Sequence, residues 1–156
     1  MSLLEVRRLK VFFPVQLGVF TRAKAVVRAV NDVTFALESG ETLGLVGESG
    51  CGKTTLGRAV IRLVEPTEGE IRFEGEELTR LKGSALRRRR RKFQMIFQDP
   101  YSSLDPRMTV EQILGEAIDI HQLAEDGAAR QKRVAALLSG VGLDPSHARR
   151  YPHEFS

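Results

Sequence analysis

The sequence is short of several things, and each shortage closes off a class of protein. One cysteine, Cys51, occurs in 156 residues, so an internal disulfide and a multi-cysteine metal site are excluded. No apolar run approaches the roughly 20 residues that cross a bilayer as a helix. The opening residues, MSLLEVRRLK, lack the apolar core and small-residue cleavage site of a signal peptide. The expected compartment is therefore the cytoplasm. The three histidines, His121, His147 and His153, have no metal-like spacing and are expected to serve surface or packing roles. Internal repeats are absent, and the one low-complexity stretch is RRRRR at 87–91.

What is present fits an ordinary globular domain. The length suits about one domain, able to bury roughly two-thirds of its unfolded surface. Net charge is +4, with 18 arginines to 6 lysines. A basic run such as 87–91 has two readings, a nucleic-acid patch or a solvated helix face beside a phosphate ligand. Only Phe93 follows it closely. Single-strand binders interleave aromatics with their cations, so no nucleic-acid partner is expected.

Residues 3–13 read as an edge strand of mixed pattern, and 18–26 as a polar hairpin tip. Val33, Phe35 and Leu37 alternate with polar or small residues, the pattern of a half-buried strand; Ser39-Gly40 ends it in a turn. TLGLV at 42–46 and FQMIF at 93–97 are short continuous apolar runs, as in strands covered on both faces. Leu56, Val60 and Leu63 fall on one helical face, and Glu65-Pro66 ends that helix. Residues 67–78 read as turn, strand, turn, and Ser84 as the cap of a short helix through the arginines. Two Asp-Pro pairs keep 98–108 irregular. Thr109 and Gln112 form a capping box that opens a helix to about residue 120. A further helix carries Val134, Leu137, Leu138 and Val141 as its apolar stripe. Asp144-Pro145 starts a last short turn.

Residues 47–54, GESGCGKT, fit G-x-x-x-x-G-K-[ST] without a mismatch, with a strand reading before and a helix reading after. Gly47, Gly50 and Gly52 bring the backbone close without a Cβ in the way. Successive N–H groups can then converge on an anion, and the helix beginning near Lys53 aims its positive end at the same place. Lys53 would reach the β- and γ-phosphates, and the Thr54 hydroxyl Mg²⁺. The bland reading is a glycine turn that happens to precede a lysine. Cys51 is expected to be a small filler, inert as a lone buried cysteine usually is.

The segment FQMIFQDPYSSLDPRMTV, 93–110, resembles the Q-loop region of ABC-transporter ATPase subunits. More narrowly, it is similar to the subunits that energise bacterial oligopeptide and dipeptide importers. LKVFFPV at 9–15, residues 30–78 and VGLDPSHARRYPHEFS at 141–156 agree, so the resemblance covers nearly the whole chain. It implies an α/β fold: a P-loop NTPase core with an N-terminal antiparallel β-subdomain and the start of an α-helical subdomain, an incomplete ABC ATPase domain. Residues 1–100 would be the ATP-binding core, and 101–156 the exit from the Q-loop and part of the helical subdomain.

The same resemblance implies ATP and Mg²⁺ as cofactors. Gly47, Glu48, Ser49, Gly50, Cys51, Gly52, Lys53, Thr54 and Thr55 would line the phosphates. Lys53 and Gln98 would be catalytic, and Thr54 and Gln98 would face Mg²⁺. Phe12 would stack on the adenine, with Phe13 as second choice; otherwise both rings are core. Implied partners are membrane-spanning permease subunits, a second ATP-binding subunit and, indirectly, a solute-binding protein. The implied location is peripheral, on the cytoplasmic face of the inner membrane. Two other readings stand beside this one: a soluble ABC-type ATPase acting on nucleic acid, and a non-catalytic truncated remnant. Against the first, no long coiled coil is present.

In the resembled family YPHEFS, 151–156, continues into a signature motif whose serine would be Ser156. No run of four aliphatics here ends in Asp-Glu, so the aspartate of that strand and its following glutamate are missing. The expectation is a polypeptide that by itself binds ATP weakly if at all, does not turn it over above background, and is poorly soluble or partly unfolded.

Overall fold

Strict alternation would turn every second residue of the first strand inward, yet Val6, Leu9 and Val11 are all buried, at 0%, 0% and 1% exposure. The spacing of three between Val6 and Leu9 requires one extra residue. Arg8 supplies it: its φ is +48°, and the register against the second strand shifts between Val6 and Leu9. The bulge restores the phase, so Leu9 and Val11 face inward again. The Arg8 amide donates to Thr34 Oγ1 at 2.8 Å instead of to the ladder.

The computed structural model describes residues 2–16, 24–99 and 103–155. They fall into two compact units, residues 1–95 and 96–156. In the first, β1 (Leu4–Gln16), β2 (Lys24–Leu37), β3 (Glu68–Phe73) and β4 (Glu76–Glu77) form one antiparallel sheet, ordered β2-β1-β3-β4. β1 is thus an inner strand and not the expected edge; its mixed pattern reflects the bulge. β2 alternates as expected, with Val33, Phe35 and Leu37 half-buried. The expected hairpin tip lies mostly outside the described residues. Glu74 and Gly75, both at positive φ, turn β3 into β4.

One helix, α1 (Lys53–Val60), lays Leu56 and Ala59 on the sheet, where they join Val6, Leu9, Val11, Val30, Ile71, Phe73 and Leu78 in one core. Each such buried aliphatic side chain stabilises the fold by about 1.5–3 kcal/mol. α1 ends well before Pro66. Arg62 at φ +59° lets its own amide reach Ala59 O at 2.9 Å and that of Leu63 reach Arg58 O at 2.8 Å. That pairing closes a helix, and Leu63 is left half exposed rather than in the helical stripe. The Arg62 side chain is buried and donates to Thr79 O and Leu81 O at 3.1 and 3.4 Å.

α2 (Gly83–Arg90) carries the arginine run. Its cap is Lys82, without a side-chain bond; Ser84 lies inside the helix and is not the expected cap. Arg89 pairs with Glu76, Lys92 with Glu74, and Arg90 donates to the Arg62 carbonyl, so two arginines of the run and the lysine after it are tied to their own unit.

Neither apolar run expected as a strand is one. Val46 and Ile96 are 94% and 88% exposed, and the segments 42–46 and 93–97 have no ladder partners among the described residues. A doubly covered strand exists only between neighbouring strands, and all pairings described here belong to the antiparallel sheet. Val33, Phe35, Leu43, Leu45, Leu56 and Met95 line an apolar recess of about 540 Å³.

The second unit is helical: α3 (Val110–Ile120) and α4 (Gly127–Gly140), followed by 3₁₀ turns at Pro145–Arg149 and Pro152–Glu154. Ile118, Val134 and Leu138 form its core. Leu137 and Val141 are exposed, so the expected four-residue stripe is a two-residue one; Arg130 instead ties α4 to α3 through Asp119 at 3.1 Å and Glu111 at 3.9 Å. The expected Asp144-Pro145 start is present: the Asp144 carboxylate accepts from the Ser146 amide at 2.7 Å, and hydrogen bonding from Ser146, its side chain foremost and then this amide, holds the Asp144 pKa below the usual value. His147 and His153 pack edge-on against Phe155 and flat against Tyr151. Ser156 and residues 100–102 lie outside the described residues.

The capping box is also as expected. Thr109 Oγ1 accepts from the Gln112 amide at 3.3 Å, and Gln112 Oε1 accepts from the Thr109 amide at 2.8 Å. Thr109→Ala is expected to cost about 1 kcal/mol of stability in urea denaturation, and Thr109→Ser far less. Equal midpoints for the alanine variant and the parent would mean that the box does not hold α3.

Candidate functional site

The loop before α1 has few ways to fold, because Gly52 is wedged against the sheet. A Cβ added there would stand 2.1 Å from the Ala29 carbonyl oxygen, and its φ is +98°. Only glycine accepts both the contact and the angle. Gly52 is also the N-cap of α1, and it brings no side chain to satisfy the first turn. The N–H groups of Lys53, Thr54 and Thr55 have no intrahelical acceptor, and no acidic residue sits in that turn to oppose a negative ligand. Gly50, at φ +81°, reverses the chain just before.

Lys53 folds back across the loop. Its ammonium donates to Gly47 O at 2.6 Å and Glu48 O at 2.7 Å, and to Cys51 Sγ at 3.6 Å. The Cys51 amide donates to Glu48 O at 3.3 Å, a tight turn within the loop. Residues 47–55 therefore gather one cation and a helix N-terminus around a short stretch of backbone. Such an arrangement can hold several negatively charged oxygens at once. Glu48, Ser49 and Thr54 are exposed. So is Cys51, contrary to the expected buried filler: residues 41–51 are all exposed, and the thiol lies beside Gly47 and the Lys53 ammonium.

Ala29 reaches Gly52 because β2 bulges there. Val11 pairs with Val30 and Phe12 with Arg28, which leaves Ala29 outside the register. The same irregularity sets Arg28 opposite Phe12, with the guanidinium carbon 5.7 Å from the ring centroid. The amide of Phe12 donates to Thr67 Oγ1 at 2.9 Å. Phe12 is half-buried and Phe13 is 40% exposed; neither is a core residue, that place being taken by Val11. Arg28 and Ala29 do not stand out in the sequence. Their nearness to the loop depends on a cross-strand register that no local motif encodes.

Gln98, the other residue singled out as catalytic, is exposed in the second unit. Thr54 offers an exposed hydroxyl and Gln98 an amide oxygen, donor types that suit a hard cation. Among the described residues no cluster of three His, Cys, Asp or Glu could hold a metal. No helix there is long and apolar enough to cross a membrane.

Comparison with known proteins agrees with this geometry. Residues 30–156 match the family model described as ABC transporter. The Oligopeptide transport ATP-binding protein OppF of Bacillus subtilis is 53% identical over 156 residues, covering 99% of this chain and 49% of that protein. The Glutathione import ATP-binding protein GsiA of Pectobacterium atrosepticum is 53% identical over 154 residues, covering 99% of this chain and 25% of that protein. The chain thus spans about half and about a quarter of these relatives. A dimeric ATP-binding cassette solved in a post-hydrolysis state with ADP and Pi aligns with a TM-score of 0.73 at 23% identity, over 98% of this chain and 63% of that one. That likeness fixes the fold as the α/β cassette fold.

An exposed thiol within the loop gives a direct test of occupancy. MgATP is expected to slow alkylation of Cys51 several-fold, read by mass spectrometry of the 47–58 peptide. An unchanged rate at saturating ATP would contradict the loop as the nucleotide's seat.

Proposed function

This chain belongs to the ABC transporter family, and we propose that it is the ATP-binding part of an importer of oligopeptides or related small solutes. One observation carries the proposal: at 47–55 a Gly-capped helix start and the Lys53 ammonium converge on one stretch of backbone. The names of the relatives, oligopeptide and glutathione import proteins, support the cargo class.

In this reading the first-turn amides hold the phosphate oxygens, and Lys53 moves from the Gly47 and Glu48 carbonyls to the β- and γ-phosphates. The gain is large because the donors are already oriented before the charge arrives. Thr54 and Gln98 are proposed as Mg²⁺ ligands on the strength of their motifs; Mg²⁺ keeps most of its shell as water and phosphate oxygen, so two protein oxygens suffice. Held by these residues, the ion would supply charge neutralisation for the transferring group. Gln98 is further proposed to orient the attacking water, and Phe12 to stack on the adenine. Turnover is proposed for the assembled protein rather than for residues 1–156 alone, which contain no aliphatic run ending in Asp-Glu. Proposed partners are permease subunits and a second ATP-binding subunit, with a solute-binding protein acting through them. The proposed place is the cytoplasmic face of the membrane.

Lys53→Met in the assembled transporter is expected to lower ATP turnover about 10²–10³-fold, the cost of losing one preorganised donor to a developing charge, and to abolish import. Phosphate release from reconstituted vesicles measures it. Wild-type turnover with Lys53→Met would overturn the proposal.

A further inference from the structure

The bulge at Ala29 does two things at once. It presses the Ala29 carbonyl against Gly52 of the loop, and it moves Arg28 into register with Phe12. Without it, Phe12 would face Ala29 and the cation would lie one pair further along the ladder. Bulges of this kind re-aim side chains beside functional sites. The aromatic ring and the guanidinium therefore stand together one residue along β2 from Ala29, whose carbonyl meets the glycine that caps α1.

Arg28 is exposed, and among the described residues it forms no salt bridge. Its guanidinium lies over the Phe12 ring, 5.7 Å from guanidinium carbon to centroid. That separation is open for a direct stack. A flat base between two flat groups needs two contact distances of ~3.5–4.0 Å, so about 7–8 Å in all. Lifting an exposed arginine by about 2 Å is within ordinary side-chain motion. Guanidinium planes stack on bases as aromatic rings do.

The geometry points to Arg28 as the second wall of the base site, opposite Phe12. This rests on the reading of residues 47–55 as a nucleotide loop. The base enters between ring and guanidinium while the phosphates reach the α1 N-terminus. The clamp holds the base by its faces, and the arginine keeps its charge at the rim.

The test separates base from phosphate. Binding of MgATP and of inorganic tripolyphosphate with Mg²⁺ is measured by titration calorimetry on the whole protein and on its Arg28→Ala, Arg28→Lys and Phe12→Ala variants. Arg28→Ala is expected to weaken ATP about tenfold, the order of one base-stacking contact, and to leave tripolyphosphate unchanged. Lysine, which lacks the plane, recovers a minor part. Adding Arg28→Ala to Phe12→Ala costs little more than Phe12→Ala alone.

ATP binding that is unaltered or tighter in Arg28→Ala overturns the inference. So does an equal loss of tripolyphosphate, which would make Arg28 a phosphate ligand, or full recovery with lysine. If the unsubstituted protein binds tripolyphosphate as tightly as ATP, the base clamp fails while the loop reading stands. If it binds neither, the loop reading fails and the clamp with it.

Discussion

The close approach of Gly52 to the Ala29 carbonyl is the constraint on which the rest turns. Any side chain at 52 would collide with sheet backbone, so the loop, the helix start and the sheet are fixed by one atom-sized gap. From that gap the first turn of α1 takes its direction, and Lys53 comes to lie over the loop. Leu56 and Ala59 then reach the core. Packing on the sheet and presentation of backbone donors are thus consequences of the same contact. A substitution there would be felt in binding and in stability together.

The two bulges that touch this region are functional in the same sense. At Arg8 an extra residue keeps Leu9 and Val11 inward, and so keeps the sheet face on which α1 rests. At Ala29 the displaced residue meets the loop and re-aims its neighbour. Regular pairing throughout would give a flatter ladder and a loop without its stop.

Local chemistry was legible and neighbourhood was not. The capping box at Thr109 and the Asp144-Pro145 start are local patterns, and each has its expected geometry in the structure; the loop at 47–54 is a local pattern too, and the helix expected after it is present while the strand expected before it is not. The bulges were hidden, because an inserted residue looks like a blurred alternation; hence β1 read as an edge strand. The helix stop at Arg62 was hidden too, since a non-glycine residue at positive φ is paid for by buried side-chain bonds that sequence does not display. Residues 42–46 and 93–97 show the opposite failure: their composition is that of strands, but a strand needs a neighbour, and the pairing lies outside the segment itself. Around the loop, the motif at 47–54 is local to the sequence, while the pairing of Arg28 with Phe12 depends on register.

The central claim is that backbone amides at the start of α1, with Lys53, receive a nucleotide's phosphates. Amide hydrogen exchange followed with and without MgATP tests it most directly. The account predicts slowed exchange concentrated at residues 50–55, with the helix α4 unchanged. Uniform protection across the chain, or none at 50–55 under saturating MgATP, would contradict it.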